Sequence, residues 1–348
     1  MKILLVLDRF KPEDGGSYVA VSELSYALFK KGIKTKILHN NYNQHFFNKS
    51  SLKEIISKYD IVHIFGIWNI FLQYVIIASK EIGKKVIVSP IGYLEKWSMQ
   101  QSRIKKKIAL FLYQKKNLEK VDCIHVTSVS ELNSLKDLNL KNPNIINLEH
   151  GKISIFTKNL KFKKKSVKTA LFFSRIHKKK ALLELVEAWS IVRPKNWKLE
   201  IVGPVTDLEY KKKILRTIAN YNLQNDVIVK EPVYKEEEKI NIFQRSDLMI
   251  LPSKNENFCI SICESLFVGL PVLCSDQTPW LELNELNAGW CLNLNSVKKI
   301  SEALNKITIL NDNDLNQISN NAKNYSEKFN LEKVVINKYI SMYKNILN

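Results

Sequence analysis

Leu248-Met249-Ile250-Leu251-Pro252-Ser253-Lys254-Asn255-Glu256-Asn257-Phe258-Cys259-Ile260-Ser261-Ile262-Cys263-Glu264-Ser265-Leu266, followed by Gly269-Leu270-Pro271-Val272, decides how this chain folds. The apolar tetrad at 248–251 reads as a buried strand. The polar run after it is a loop that opens the way for Glu256. The next apolar stretch carries Glu264 on a short helix, and Gly269 stops that helix before another strand begins. At ~1.5 Å per residue, eight helical positions cover roughly 12 Å. That is about the reach at which one carboxylate holds a sugar and the other a ribose, with a diphosphate between them. The helix N-terminus would offer that diphosphate free N–H groups and the positive end of a dipole.

Outward from this stretch the same alternation fills the chain. Ile3–Leu7, Thr35–Leu38, Ile61–Ile64, Val86–Ser89, Cys123–Thr127 and Ile145–Leu148 read as strands, separated by helix-length segments such as Tyr18–Lys31, Phe71–Ile82 and Ser130–Asp137. The stretch Lys158–Lys168, with six lysines and no periodicity, reads as a linker. Strands then resume at Ala170–Phe173, Lys198–Val202, Asp226–Val229, Leu248–Leu251 and Val272–Cys274. Such alternation predicts parallel sheets covered by helices. The expected class is α/β: two Rossmann-like domains, 1–160 and 166–330, whose parallel sheets face one another across a cleft. The last helix, within 331–348, is expected to pack back on the first domain.

A chain of 348 residues is long enough for two such cores. No apolar run reaches the ~18 residues of a membrane span. Ile64 to Ser79 is interrupted by Asn69 and Gln73 and reads as a buried helix. Met1–Leu7 lacks the length and cleavage site of a signal peptide and reads as a first strand. Five cysteines without paired spacing suggest reduced thiols in the cytoplasm.

The net charge of +20 is unevenly placed: residues 1–165 hold 29 Lys/Arg against 13 Asp/Glu (+16), and residues 166–348 hold 25 against 21 (+4). The segment Arg103-Ile104-Lys105-Lys106-Lys107-Ile108-Ala109-Leu110-Phe111-Leu112-Tyr113-Gln114-Lys115-Lys116 is a cationic helix suited to an anionic membrane surface or an acidic acceptor. Lys, Asn and Ile are abundant throughout, as an AT-rich genome would produce, so many lysines are simply solvated. No nucleic-acid partner is expected.

Six features carry or decline chemistry. Gly15-Gly16 joins the first strand to the first helix; it either lets backbone approach a ligand or makes an ordinary turn. The phosphate-loop and Gly-x-Gly-x-x-Gly patterns are absent. Arg175 and Lys180 stand at the mouth of a strand, just before a helix, as cations for a diphosphate leaving group or as a solvated basic loop. Glu256 and Glu264 admit a general acid–base reading as well, since glycoside hydrolysis also needs two carboxylates. The cationic companions favour ligand holding. Asp312-Asn313-Asp314 reads as a solvated loop rather than a metal site. Cys259 and Cys263 have no nearby histidine to complete a zinc set and read as small buried thiols. Most of the six histidines are expected to be structural.

These residues together resemble retaining family 4 glycosyltransferases of GT-B architecture. The resemblance runs through Gly15-Gly16, Asp60–Trp68, Ser89–Leu94 with Trp97, Thr127–Glu131, Ser174–His177 with Lys180, Ile201–Pro204, Leu251–Ser253, Glu256 to Glu264, Thr278–Trp280 and Gly289-Trp290. It looks most like members that extend bacterial surface polysaccharide or lipopolysaccharide. The resemblance implies a nucleoside-diphosphate sugar donor (UDP-, GDP- or another), with no cofactor and no metal. Arg175 and Lys180 would bind the diphosphate and Glu264 the ribose. Glu256, with the backbone at Asn257, Phe258 and Cys259, would hold the transferred sugar. Val233 would pack on the base, and Gly15 and Gly16 would let the first loop reach the phosphates. It further implies a glycan or lipid-linked glycan acceptor and a cytoplasmic, membrane-peripheral location. Four positions depart from the pattern: Ile91 where a histidine or arginine is usual, Cys259 and Ala181 where glycine is usual, and His150 where asparagine is usual before Gly151. Two other readings stay open, a non-catalytic nucleotide-binding partner of a transferase and a nucleotide-sugar epimerase of similar shape.

Overall fold

A computed structural model describes residues 1–40, 49–101, 103–141, 144–153 and 165–348. The chain divides into one unit of Met1–Ile153 with Phe329–Asn348, and a second of Ser154–Lys328. Most of the lysine-rich stretch read as a linker, 158–164, lies outside the described residues, and Lys168 already begins a strand.

In the first unit, β1 (Lys2–Leu7), β2 (Lys34–His39), β3 (Ile61–Phe65), β4 (Lys85–Ser89), β5 (Cys123–Val126) and β6 (Ile145–Asn147) form a parallel sheet in the order β2-β1-β3-β4-β5-β6. Because successive strand residues face opposite ways, Leu4, Val6, Val62, Ile64, Val86 and Val88 enter one core. Ile3, Leu5, Ile61 and Ile87 enter another. This second core also takes Val21, Leu24 and Leu28 from the helix Gly16–Lys30, and Ile336, Tyr339, Tyr343 and Ile346 from the chain's last helix. The last segment starts as a π-helical turn, Leu331–Val335, and runs on as Ile336–Leu347. Buried Lys152 ties its return: the ammonium pairs with Glu23, the Glu23 carboxylate takes the Ile153 N–H at 2.8 Å, and the Lys152 N–H donates to the Phe329 carbonyl at 2.9 Å.

His63, His125 and His150 of this unit are buried, and the first two lie on one hydrogen-bonded chain. His63 Nδ1 lies 2.8 Å from the Tyr343 hydroxyl and Nε2 2.7 Å from Ser89 Oγ; Ser89 Oγ lies 2.7 Å from His125 Nδ1, whose Nε2 is 2.7 Å from the Leu148 carbonyl oxygen. Burial drives the imidazoles toward the neutral form, His125 down to about 4 and His150 to about 3. These side chains join sheet to last helix.

In the second unit, β7 (Lys168–Phe173), β8 (Trp197–Val202), β9 (Val227–Lys230), β10 (Leu248–Leu251), β11 (Val272–Ser275) and β12 (Gly289–Leu292) form a parallel sheet in the order β12-β11-β10-β7-β8-β9. β12 was not among the expected strands. The winding reverses between β7 and β10, which pair through Leu248 with Ala170 and Met249 with Leu171. In the first sheet it reverses between β1 and β3. Open parallel sheets bind ligands outside the carboxyl ends of their strands at such a reversal. Each sheet therefore nominates one place, and the candidate loops stand at both.

One local expectation is corrected. Asp312-Asn313-Asp314 is not a loop but the first turn of a helix, Asp312–Ser326, capped by Asn311 accepting the Asp314 N–H at 2.9 Å. Acidic residues favour that end through the helix dipole, and Asp312 also pairs with Lys168 at 2.8 Å.

Candidate active site

The second unit builds a candidate site at its β7/β10 reversal. β7 runs into Ser174-Arg175, where a close crossing is possible only because Gly203 follows the neighbouring strand β8: a Cβ there would stand 1.9 Å from the Ser174 carbonyl oxygen. Arg175 is exposed at the strand mouth. A single 3-10 turn, Lys178–Lys180, then leads into the helix Leu182–Val192. Ala181 between them is left-handed, φ 50°. That turn sends Lys180 inward, where it is 6% exposed.

There it meets Glu256, 7% exposed, in a direct ion pair. Burial alone would raise the Glu256 carboxyl, but Lys180 and Lys179 outweigh it and hold the group below the usual carboxylate range. The loop bearing Glu256 is fixed from the side. Its N–H donates to the Gln277 carbonyl at 3.0 Å, and the Trp280 indole N–H donates to the Phe258 carbonyl at 2.6 Å while the two rings pack 5.3 Å apart. Cys259 closes the loop in a left-handed conformation, φ 66° and ψ 78°, at the start of the helix Ile260–Val268. The helix thus begins four residues after Glu256, so half of the expected helical spacing between the two glutamates is loop. Burial and the Glu256 charge push the Cys259 thiol up to about 11, which keeps it protonated at neutral pH.

Glu264 lies one turn into that helix, 3% exposed, and receives a partner the sequence reading had not named. Lys239, from the helix Glu236–Arg245, places its ammonium 2.7 Å from Glu264 and 2.8 Å from Glu236. Burial works against the Lys239 charge, yet Glu264 and Glu236 together raise its pKa. Val233 is half-buried in the loop that leads into the same helix, and Asn257 is half-buried beside Glu256. The structure therefore brings Lys180 onto Glu256, with Cys259 beside them, and links Glu264 to the loop of Val233 through Lys239. Lys239 ends the charged run Lys235–Lys239, and nothing in that run marks it for burial. Trp280 was read as part of a motif without a task.

Gly15 and Gly16 belong to the other unit, after β1. Gly15 has φ 67° and ψ −124°, which glycine alone adopts easily, and the helix Gly16–Lys30 begins directly behind it. In the same unit Ile91 is also left-handed, φ 48°, with its side chain packed on the sheet core. The carboxylate of buried Glu131 holds this turn by accepting the Gly92 N–H, and its second oxygen takes the Thr127 N–H at 3.1 Å. Among the described residues no group of three or more His, Cys, Asp or Glu could hold a metal ion, and no helix is long and apolar enough to cross a membrane.

Comparison with known proteins gives this geometry its class. Residues 154–325, nearly the whole second unit, match the family of glycosyl transferases group 1. Staphylococcus aureus protein CapJ is 30% identical over 155 residues, which take in 44% of this chain and 38% of CapJ. A 41.2 kDa protein in the cps region of Klebsiella pneumoniae is 24% identical over 303 residues, covering 83% of this chain and 80% of that one. Anabaena HepE, solved in complex with UDP and glucose, superposes with a TM-score of 0.78 at 16% identity, covering 99% of each chain. The fold is that of GT-B glycosyltransferases.

Proposed function

We propose that this protein is a retaining, metal-independent hexosyltransferase that moves a sugar from a nucleoside diphosphate to a hydroxyl of a growing bacterial surface glycan. The observation that carries this reading is the buried Lys180–Glu256 pair at the β7/β10 reversal, with the Ile260–Val268 helix starting two residues beyond Phe258. A cation next to a carboxylate suits the junction of a donor, where an anionic diphosphate meets a hydroxylated sugar.

In this reading the diphosphate draws Lys180 and Arg175 to its oxygens and lies near the helix N-terminus. Glu256, released from part of its pairing, accepts hydrogen bonds from sugar hydroxyls, and Glu264 accepts from the ribose. As the sugar–phosphate bond breaks, charge grows on the leaving oxygen, and the fixed cations stabilise it more than the ground state. The acceptor hydroxyl attacks the same face of the sugar that the leaving group vacates. Its proton passes to the departing phosphate, so no side-chain nucleophile is needed; a thiol kept protonated at Cys259 agrees with that. HepE holding UDP and glucose, and the cps-region relative, support a UDP donor and a capsular acceptor.

The test is a panel of UDP- and GDP-hexoses with lipid-linked glycan acceptors, in EDTA, reading transfer by mass spectrometry and anomeric configuration by NMR. An α-linked product from an α-donor without added metal is expected. Inversion, a strict metal requirement, or epimerised sugar with no acceptor consumed would each replace this reading.

A further inference from the structure

We infer that His177 is a positioning residue for the donor site: its neutral imidazole caps the turn that carries Lys180, and donor binding weakens when the ring takes up a proton. The inference rests on Lys180 meeting the donor diphosphate, as proposed above.

The turn is short, and few bonds shape it. Past the end of β7 the Ile176 N–H donates to the Pro204 carbonyl at 2.9 Å, and Ile176 bridges to Val205. His177 keeps extended backbone, φ −154° and ψ 147°, and the chain then closes into the single 3-10 turn Lys178–Lys180. So short a turn gains little from its own hydrogen bonds, and its first N–H groups have no partner within it. The Lys179 N–H finds one in His177 Nδ1, at 3.1 Å. The Lys179 carbonyl accepts from the Lys254 N–H at 2.8 Å, in the loop that leads to Glu256. Lys179 is therefore bracketed by the imidazole on one side and that loop on the other. The next residue is the buried lysine paired with Glu256, and its own N–H donates to the His177 carbonyl at 2.9 Å.

The chemistry of this cap differs from that of the usual ones. Ser, Thr and Asn accept through an oxygen whose capacity does not change near neutral pH. An imidazole accepts only through a ring nitrogen that carries no proton. Because a backbone N–H can only donate, the bond fixes the tautomer: Nδ1 is bare and the proton sits on Nε2. Protonation puts a hydrogen on Nδ1, facing the Lys179 amide hydrogen, and turns the cap into a repulsion. It also adds a positive charge beside Arg175, Lys178 and Lys180. Of the charged groups around the ring only Asp207, at the start of the helix Leu208–Asn220, favours the imidazolium. Burial first, then Arg175, outweighs Asp207 and holds the ring below its ordinary value of 6.5. The cap is complete at pH 7.5 and is lost as pH falls below that value.

The experiment has two arms, both on the full chain. In the first, the Lys179 amide and the His177 ring nitrogens are followed by nitrogen NMR from pH 7.5 to pH 5. A bare Nδ1 at pH 7.5, and an amide shift that titrates together with the ring, are expected. In the second, calorimetry gives the affinity for UDP-glucose or GDP-glucose, whichever binds more tightly, at both ends of that range. The unmodified protein should lose about fivefold at pH 5, the order of a lost helix cap. His177→Asn keeps an acceptor that does not titrate, so it should match the unmodified protein within about twofold at pH 7.5 and lose less than about twofold on acidification. His177→Phe should be about fivefold weaker at both pH values. Thermal midpoints at each pH check the fold. An amide that ignores the ring, or an acid loss of affinity that survives in His177→Asn, would overturn the inference. So would a His177→Asn protein as weak as His177→Phe at pH 7.5, since the ring would then touch the donor itself. A titrating amide with neither nucleotide sugar bound at any pH would instead overturn the donor reading, and with it the role given to the cap.

Discussion

Three residues hold left-handed backbone where glycine or a polar residue is more usual, and each states a local cost. Ala181, Cys259 and Ile91 have φ of 50°, 66° and 48°. A side chain there costs roughly 1–2 kcal/mol. Cys259→Gly and Ala181→Gly are therefore expected to stabilise the second unit by about 1 kcal/mol each, read as a rise in denaturant midpoint at constant slope; a fall would mean that the side chains contribute packing that outweighs the strain. Lys239 makes the sharper functional prediction. Its 2.7 Å bond to Glu264 orients the carboxylate proposed to hold the ribose, so Lys239→Met should raise KM for donor about tenfold with little change in kcat. Discrimination against a 2′-deoxyribose donor should fall with it. A Lys239→Met enzyme that keeps full discrimination, while Glu264→Ala loses it, would leave Lys239 a purely structural cation. Neither role was legible in sequence. The conformations of Ala181 and Cys259 emerge only once a 3-10 turn or a loop must meet a helix, and Lys239 is 25 residues from its partner.

At the scale of elements, much was legible because period and punctuation agree. Strands at 248–251 and 272–275, and the helix ending at Gly269, follow directly from apolar runs and a glycine stop. β12 escaped because it is four residues long and opens on glycine. The helix Asp312–Ser326 escaped because its polar first turn was taken for a loop. Asn311, the acidic first turn, and Leu315, Ile318, Ala322 and Tyr325 at helical spacing were the available signal. The loop Glu256–Cys259 depends on a side chain from outside itself. Trp280→Phe removes the indole donor and leaves the Phe258 carbonyl without that hydrogen bond, a loss of about 1–3 kcal/mol. The expected result is a lower thermal midpoint and weaker donor binding by calorimetry; unaltered binding with lowered stability would separate the loop's stability from its function.

At the scale of the whole molecule, the first unit carries the stronger pH dependence near neutrality, its three buried histidines answered in the second unit only by half-buried His177, which burial also holds low. His63, His125 and His150 are held below their ordinary value by burial, the latter two to about 4 and about 3. The unfolded chain then binds protons before the folded one as pH falls. Stability from these groups is complete above about pH 6.5 and drains as pH drops toward 4, by about 1.4 kcal/mol per pH unit for each histidine. Glu256 acts lower: its depressed folded pKa gives stability above about 4.5 that is lost only beneath that. Unfolding followed at pH 7.5, 6 and 5 should show the first unit losing stability first; a flat midpoint over that range would contradict the buried histidine chain. The most direct test of the whole account remains donor turnover by Lys180→Ala. With the fold intact, release of nucleoside diphosphate should fall roughly 10²–10³-fold, as for removal of other charge-stabilising donors. Turnover equal to that of the unmodified protein would contradict the assignment of the Lys180–Glu256 pair to the reacting end of the donor.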